Sequence, residues 1–261
     1  MSVSVKNKFF TLALVLLVAV FAVISAALDR HAAGEAAADP DLPVYSVRLP
    51  EGEKKVALTF DAAWGNEDTG DLIAILDRYG VKATFFVIGK WAEKYPESVR
   101  ALADAGHDVM NHSWDHPHFT ALSGPEMVKN ADRASDAVSD LTGVRPTLFR
   151  APYGEYDDRV IAAVEGLGMQ TVQWDVDSLD WKELSAAEIT DRVLKRVPPG
   201  SIVLFHNAAL HTPEALPRIL EALIRDGFSV IPISKLIYTG DYTIDHAGCQ
   251  HAAAPAEKPG A

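Results

Sequence analysis

The sequence predicts an α/β fold built on parallel strands, and two observations support that prediction. Short apolar runs alternate with amphipathic stretches along the chain, which is the pattern of repeated strand–helix units. Polar and ionisable residues follow directly after five of these runs, which is where parallel α/β folds place their active sites. The predicted strands are residues 56–60, 83–87, 107–110, 147–149, 169–173, 201–205 and 228–231.

Length and composition are those of a globular protein. The chain has 261 residues, is 48% hydrophobic and carries a formal net charge of −12. A chain of this length buries a sizeable core without disulfides, and its single cysteine, Cys249, cannot form one within the chain. The acidic balance argues against nucleic acid as a partner, because binding to a phosphate backbone depends on clustered Lys and Arg.

The N-terminus predicts export. Residues 9–28 contain no charged residue and follow Lys6 and Lys8. A helix of this length spans the roughly 30 Å hydrocarbon core of a bilayer, whereas the apolar part of a cleaved signal is usually about 7–15 residues. We therefore expect an uncleaved single-pass anchor with the following domain outside the cell membrane. Cleavage near the small residues 25–27 is the alternative, and it would give a secreted protein.

Beyond the signal anchor or signal peptide of residues 1–28, composition divides the chain into three further parts. Residues 29–50 form an Ala- and Pro-rich linker, residues 51–240 the folded domain and residues 241–261 a disordered tail. The clearest helix follows Ser123, which forms an S-x-x-E capping box with Glu126, and ends before Gly143.

Candidate functional residues follow the predicted strands. Because the carboxyl ends of parallel strands meet at one edge of a sheet, we expect their side chains to converge. Each candidate also has a purely structural interpretation. An aspartate after a strand can be a metal ligand or a general base, or it can only cap the next helix. An arginine there can bind a carboxylate in the site, or it can form an ordinary surface ion pair. The candidates are Asp61, His112, His116, Arg150, Asp175, Asp177, Asp180 and His206.

His112 and His116 are four residues apart. On a helical turn this spacing places both rings on one face, where they can chelate a divalent cation. Such pairs also arise by chance, and the position of this pair directly after a strand favours the metal interpretation.

With these residues in view, the chain resembles the polysaccharide deacetylase family, which is carbohydrate esterase family 4 with the NodB homology domain. The resemblance covers residues 56–236, and the first motif with the N-terminal apolar run looks most like the sporulation and cell-wall branch. It implies an irregular, TIM-barrel-like (β/α) barrel of seven to eight strands, preceded by an N-terminal transmembrane helix. The motifs are TFDAAWG (59–65), HSWDH (112–116), RAPYG (150–154), WDVDSLDW (174–181) and LFH (204–206).

The resemblance implies a hydrolase acting on carbon–nitrogen bonds other than peptide bonds. It would remove N-acetyl groups from amino sugars of a cell-wall polysaccharide such as peptidoglycan. By their positions in the motifs, His112 and His116 match ligands of a divalent metal, expected to be zinc, with cobalt or manganese as alternatives.

The remaining motif positions carry further implied roles. Asp61 matches the catalytic base and Arg150 the residue that orients it, while His206 matches the general acid and Asp180 the carboxylate that tunes it. Substrate-binding positions are matched by Tyr153, through its backbone N–H at the oxyanion, and by Trp174 and Leu204 at the acetyl pocket.

One motif position departs from the family pattern. The third metal ligand of the family is an aspartate where this chain has Ala62, which cannot coordinate a metal. Asn66, Glu67 and Asp68 are nearby oxygen donors. The alternative to the enzyme is therefore a catalytically impaired, glycan-binding member of the same fold, and a third possibility is hydrolysis of small cyclic amides or ester acetyl groups.

Overall fold

The structure, a computed structural model, describes residues 42–253. The predicted anchor, the first part of the linker and the end of the chain lie outside the described residues. Within residues 42–253, no helix combines the length and the apolar character needed to cross a membrane.

A parallel sheet organises the domain. Seven strands follow the order β6-β5-β4-β3-β2-β8-β7, and β9 pairs in parallel with the start of β2. Its members are β2 (Lys55–Ala62), β3 (Thr84–Val87), β4 (Asp108–Asn111), β5 (Leu148–Phe149), β6 (Gln170–Thr171), β7 (Val176–Asp177), β8 (Ile202–His206) and β9 (Ser229–Val230). All seven predicted strands are confirmed. The two-residue strand β7 was not predicted, because it lies within the polar stretch WDVDSLDW, where no apolar run marks a strand.

Helices cover the outside of the sheet. They are α1 (Thr69–Arg78), α2 (Gly89–Lys94), α3 (Pro96–Asp104), α4 (Gly124–Thr142), α5 (Asp158–Glu165), α6 (Ala186–Leu194), α7 (Thr212–Arg225) and α8 (Ile233–Leu236). The predicted capped helix is α4: the Glu126 carboxylate accepts a hydrogen bond from the Ser123 backbone N–H at 2.8 Å, and Gly143 ends the helix with φ of 73°. The helix buries Met127, Ala131, Ala134 and Val138 and exposes Val128.

The two faces of strand β2 have different environments: one faces the apolar core and the other faces the polar interior of the sheet. Val56, Leu58 and Phe60 belong to the large hydrophobic cluster that includes residues of α1 and α7. Side chains alternate across a strand, so Thr59 and Asp61 face the opposite side. The sequence therefore directs Asp61 into the interior at the carboxyl end of the sheet.

The sheet is an incomplete barrel, because β6 and β7 stand at its two edges. The segment that contains β1 (Ser46–Val47) reaches both sides of this opening: Val44 bridges to Val172 after β6, and Ser46 bridges to Ser201 before β8. Val44 and Val47 are buried. The linker prediction is therefore wrong for this segment, whose pairing partners are distant in sequence.

The predicted disordered tail is also wrong for residues 242–252. They form β10 (Tyr242–Ile244) and β11 (Cys249–Ala252), which assemble with β1 in a second sheet of order β1-β11-β10. The buried Gln250 side chain anchors this sheet, since its amide bonds both the backbone N–H and the carbonyl of Tyr238 at 2.8 and 2.9 Å. Polar composition suggested disorder, and only these non-local hydrogen bonds reveal the order.

Candidate active site

A cavity of about 460 Å³ opens at the carboxyl ends of the strands. The structure brings seven of the nine residues assigned from the motifs into its wall and places the other two, Arg150 and Asp180, behind it. The expected convergence of the strand ends is confirmed. The lining residues are Asp61, Trp64, His112, His116, Tyr153, Gly154, Trp174, Asp177, Trp181, Leu204 and His206.

Asp61 forms a buried ion pair with Arg150. The Arg150 Nη1 lies 2.7 Å from Asp61 Oδ1 and 2.9 Å from Thr59 Oγ1, and Nη2 donates to the Gln173 carbonyl at 3.0 Å. Burial by itself raises the pKa of Asp61, but the charge of Arg150, with smaller effects of His112 and His206, outweighs it and lowers the pKa. Asp61 is therefore an ionised carboxylate, and the surface alternative for Arg150 is wrong because its side chain is fully buried.

His112 is oriented by a backbone carbonyl. Its Nδ1 lies 2.7 Å from the Arg150 carbonyl oxygen, which can only accept a hydrogen bond, so Nδ1 carries the proton. The other ring nitrogen, Nε2, therefore has a lone pair that can bind a metal. That Nε2 lies 3.5 Å from Asp61 Oδ2. Burial lowers the pKa of His112 and lowers that of His116 to about 4, so both rings are neutral at pH 7.

The backbone that joins the two histidines is a loop and not a helical turn, yet their rings lie close together. Their ring centroids are 5.0 Å apart. The sequence expectation of a helical turn is wrong, since Ser113 and His116 both have positive φ, at 75° and 58°, and the Ser113 hydroxyl accepts from the His116 backbone N–H at 3.0 Å. The spacing of four residues brings the rings together, by a different backbone path.

The oxygen donors near Ala62 in sequence, Asn66, Glu67 and Asp68, do not line the cavity. Asn66 donates to the Ser98 hydroxyl, Glu67 accepts from the Asn66 backbone N–H, and Asp68 accepts from Ala208 N–H. The Ala62 methyl is buried in the large hydrophobic cluster.

The donor set therefore fits a divalent metal only in part. Two neutral imidazoles face the Asp61 carboxylate, which is a suitable environment for a cation. Catalytic zinc sites ordinarily have three protein ligands, and here the histidines supply two.

On the other side of the cavity, Asp180 holds His206. Asp180 Oδ1 lies 2.8 Å from His206 Nδ1, and Oδ2 accepts from His206 N–H at 2.9 Å and from the Thr212 hydroxyl at 2.7 Å. Burial alone lowers the pKa of His206, but the hydrogen bond and charge of Asp180 raise it above the ordinary value. Of the neighbouring aspartates, Asp177 lines the cavity, whereas Asp175 is bonded to Ser201 and Ile202 at the start of β8.

Aromatic side chains form the rim. Trp64 and Trp181 were not singled out as site residues, yet they line the cavity beside Tyr153, and each of the three is more than half exposed. Asn207 holds the loop that carries Trp64, accepting from Ala63 N–H at 3.2 Å and donating to the Gly65 carbonyl at 2.8 Å. The available signal was a tryptophan directly after a strand within a polar motif.

Comparison with known proteins places this site in context. Residues 48–172 match the family described as polysaccharide deacetylase. The chain is 37% identical over 196 residues to the peptidoglycan-N-acetylglucosamine deacetylase PgdA of Listeria monocytogenes, covering 73% of this chain and 41% of PgdA. It thus spans about two fifths of that relative. The peptidoglycan-N-acetylglucosamine deacetylase of Bacillus cereus is 32% identical over 199 residues, covering 75% of this chain and 72% of its own length.

Solved structures share the fold. A CE4 family pseudoenzyme from Bacillus anthracis superposes with a TM-score of 0.71 at 32% identity, covering 74% of this chain and 68% of that one. A mutant of that pseudoenzyme with restored enzymatic activity superposes with the same TM-score at 33% identity, covering 74% of this chain and 70% of that one. From these matches and the shared architecture, the chain belongs to the polysaccharide deacetylase family.

Proposed function

We propose that this protein is a hydrolase that removes N-acetyl groups from amino sugars of a cell-wall polysaccharide such as peptidoglycan. One observation carries the proposal: an ionised Asp61 and a His206 with raised pKa line the same cavity, with the neutral His112 and His116 beside them. Amide hydrolysis needs a base for the attacking water and an acid for the departing amine, and these two groups have the matching protonation states.

The reaction divides between these side chains. Asp61, fixed by Arg150, accepts a proton from the water whose oxygen attacks the acetyl carbonyl carbon. As the carbon–nitrogen bond breaks, protonated His206 donates a proton to the sugar nitrogen, so that acetate and a free amine leave. Its ring Nδ1 is bonded to Asp180, and Nε2 is therefore the nitrogen that donates.

Three wall residues bind the substrate in this proposal. Leu204 and Trp174 provide an apolar surface for the acetyl methyl group, and Tyr153 lies at the carbonyl side, where its backbone N–H stabilises the oxyanion. His112 and His116 would hold a divalent ion, zinc or alternatively cobalt or manganese, whose chemistry is to polarise the carbonyl and the water.

Acetate release tests the proposal. The full chain is supplied with zinc, cobalt or manganese and assayed on N-acetylglucosamine oligomers and on muropeptides. We expect acetate release in the wild-type chain and its loss in Asp61→Asn and His206→Ala. The control is Arg145→Met, at an exposed arginine that forms a surface ion pair with Asp136 of α4, and it should leave acetate release intact. Absence of release from every substrate, with metal shown to be bound, would contradict the hydrolase.

A second candidate is a glycan-binding member that has lost turnover. The observation that favours it is the buried alanine at position 62, and the likeness to a solved structure described as a CE4 family pseudoenzyme supports it. It predicts saturable binding of glycan that is unchanged by His206→Ala, and no metal in the purified chain. A gain of both metal and activity in Ala62→Asp would support this candidate over the first.

We also propose that residues 9–28 hold the protein in the cell membrane with the catalytic domain outside, where a cell-wall glycan is accessible. The uncharged run after two lysines supports this. Membrane fractionation and mass determination of the mature N-terminus test it: an intact N-terminus in the membrane fraction is expected, and a chain beginning near residue 28 in the medium would indicate a cleaved signal.

A further inference from the structure

A second cluster of metal-ligating side chains lies in the β10–β11 hairpin. Within residues 42–253, Asp245, Cys249 and His251 bring one carboxylate oxygen, one sulfur and one ring nitrogen within 4.8 Å of one another. All three residues are partly buried. None of them lines the cavity described above, so the deacetylase reaction does not account for the cluster.

The hairpin backbone holds these side chains in place. Asp245 N–H donates to the Cys249 carbonyl at 3.0 Å, and Asp245 Oδ1 accepts from Ala247 N–H and Cys249 N–H at 2.9 and 3.0 Å. His251 is fixed by pairing opposite Thr243. The Asp245 Oδ1 is thus committed to the turn, while Oδ2 points to His251 Nε2 at 2.9 Å.

The chemistry of the three donors selects the ion. Thiolate and imidazole are ligands of zinc and similar transition metals, whereas calcium and magnesium take oxygen ligands. Zinc bonds of about 2.0–2.3 Å in a tetrahedron hold neighbouring donor atoms about 3.3–3.7 Å apart. The donor atoms of this cluster lie within 4.8 Å of one another, so an ion would be enclosed when side-chain rotations bring them to that spacing.

Of the three residues, Cys249 also lines a separate cavity. Cys249 lines a depression of about 330 Å³ together with Arg48, Asp175 and Pro198. From these observations we propose that Asp245, Cys249 and His251 bind Zn²⁺, with a water molecule from solvent as the fourth ligand.

The bound ion would stabilise the attachment of the second sheet to the barrel. Strand β11 pairs in parallel with β1, and Val47 N–H of β1 donates to the Gly200 carbonyl just before β8 at 2.9 Å. Zinc that binds the folded hairpin and not the unfolded chain stabilises this arrangement by mass action.

Cobalt spectroscopy on the reduced full chain tests the proposal. Cys249 is the only cysteine, so a thiolate-to-cobalt charge-transfer band in the near ultraviolet can come from no other residue. In the double variant His112→Ala, His116→Ala, which lacks the two histidines proposed to hold the catalytic ion, we expect the band to saturate at one Co²⁺ per chain and to disappear when one equivalent of Zn²⁺ is added. Absence of the band at saturating Co²⁺ would overturn the proposal.

Variants separate this site from the catalytic cavity. Cys249→Ser is expected to abolish the band, and His251→Ala to weaken cobalt binding at this site at least tenfold. His246→Ala, a change at a neighbouring exposed histidine outside the cluster, is the matched control and keeps the band. The double variant His112→Ala, His116→Ala keeps it as well, whereas loss of the band there would place the cobalt elsewhere and contradict the assignment.

The reaction of Cys249 with a thiol reagent is an independent test of which residues bind the ion. In the wild-type chain, saturating Zn²⁺ is expected to slow this reaction at least tenfold. The same protection in His251→Ala and in Asp245→Ala would show that these residues are not ligands.

Discussion

Asp180 binds His206 with both of its carboxylate oxygens, one on the ring Nδ1 at 2.8 Å and one on the backbone N–H at 2.9 Å. The carboxylate is buried and is also bonded by Thr212. This arrangement fixes the ring orientation and favours the imidazolium, because a negative charge in a buried position stabilises the protonated form.

The first prediction concerns this pair. Asp180→Asn removes the charge that raises the pKa of His206, so the pKa falls and His206 loses its proton at lower pH. The alkaline limb of acetate release therefore moves to lower pH, and removal of the acid itself in His206→Ala lowers turnover by about 100- to 10,000-fold. Titration of the His206 ring by NMR measures the pKa even in a chain without turnover.

The same pair contributes to stability with a defined sign. Because the pKa of His206 is raised on folding, its contribution is fully present below the unfolded value of about 6.5 and is lost as pH rises through the folded value. Asp177→Asn is the control, since Asp177 makes a smaller contribution to the raised pKa than Asp180. An unchanged titration of His206 in Asp180→Asn would contradict the assignment.

The second prediction concerns the buried ion pair of Asp61 and Arg150. Arg150→Met leaves a buried carboxylate without its partner, which is expected to lower the free energy of unfolding by about 3–5 kcal/mol and to raise the pKa of Asp61. Urea unfolding measures the free energy of unfolding, and the acid limb of the pH–activity profile measures the pKa of Asp61.

A surface arginine provides the matched control. Arg145 pairs with Asp136 at 2.7 Å in an exposed position, and Arg145→Met is expected to cost about 0–1 kcal/mol. The double variant Arg150→Met, Asp61→Asn should recover part of the loss, because no unpaired buried charge remains. Equal losses for Arg150→Met and Arg145→Met would argue against the buried pair.

Local patterns explain which parts of the fold could be predicted. Apolar runs of three to five residues and the capping signals around α4 are properties of neighbouring residues, and they located seven strands and this helix correctly. Strands β1, β7 and β10 have two or three residues each. Of these, β1 pairs with β11 and β7 pairs with β8, and such pairing with distant segments leaves no periodicity in the strand's own sequence.

The site residues, like the strands, could be predicted where local position determines them and not where distant contacts do. Position after a strand was enough to predict that Asp61, His112 and His206 converge, since parallel strands end at one edge. The sequence could not predict that Asn66 and Asp68 stay away from the cavity, because they are held by Ser98 and Ala208 in contacts that only the folded chain creates. The order of residues 242–252 likewise depends on non-local pairing.

The third prediction tests how β1 closes the barrel. Gly200 has φ of +89°, and a β-carbon there would collide with the Val47 carbonyl oxygen, whereas Gly52, with φ of +85°, has no atom within 4 Å of that position. Both alanine variants carry a backbone strain of about 1–2 kcal/mol. Gly200→Ala must in addition displace β1.

Urea unfolding and hydrogen exchange separate the two effects. Gly52→Ala is expected to lose only the strain energy and to keep slow exchange at Val47 N–H, which donates to the Gly200 carbonyl. Gly200→Ala is expected to lose more stability and to exchange faster at that amide. Equal losses with unchanged exchange would show that β1 does not depend on this close approach.

The fourth prediction concerns glycan binding at the aromatic rim. Trp64 and Trp181 are exposed in the free protein, and an exposed indole beside a catalytic cavity offers a flat apolar face for a sugar ring. Replacement of either by alanine is expected to weaken binding of an N-acetylglucosamine oligomer about 2- to 10-fold, corresponding to the roughly 0.5–1.5 kcal/mol of an aromatic contact. Calorimetry in a His206→Ala background measures binding without turnover.

Val144→Ala is the control for this measurement. Val144 is 64% exposed and precedes β5, at the end of the sheet opposite the cavity, so its loss should leave affinity unchanged. Asn207→Ala extends the test, because Asn207 holds the loop of Trp64 without lining the cavity itself. If the rim binds glycan, Asn207→Ala should weaken binding in the same direction as Trp64→Ala; unchanged affinity in both would place the sugar elsewhere.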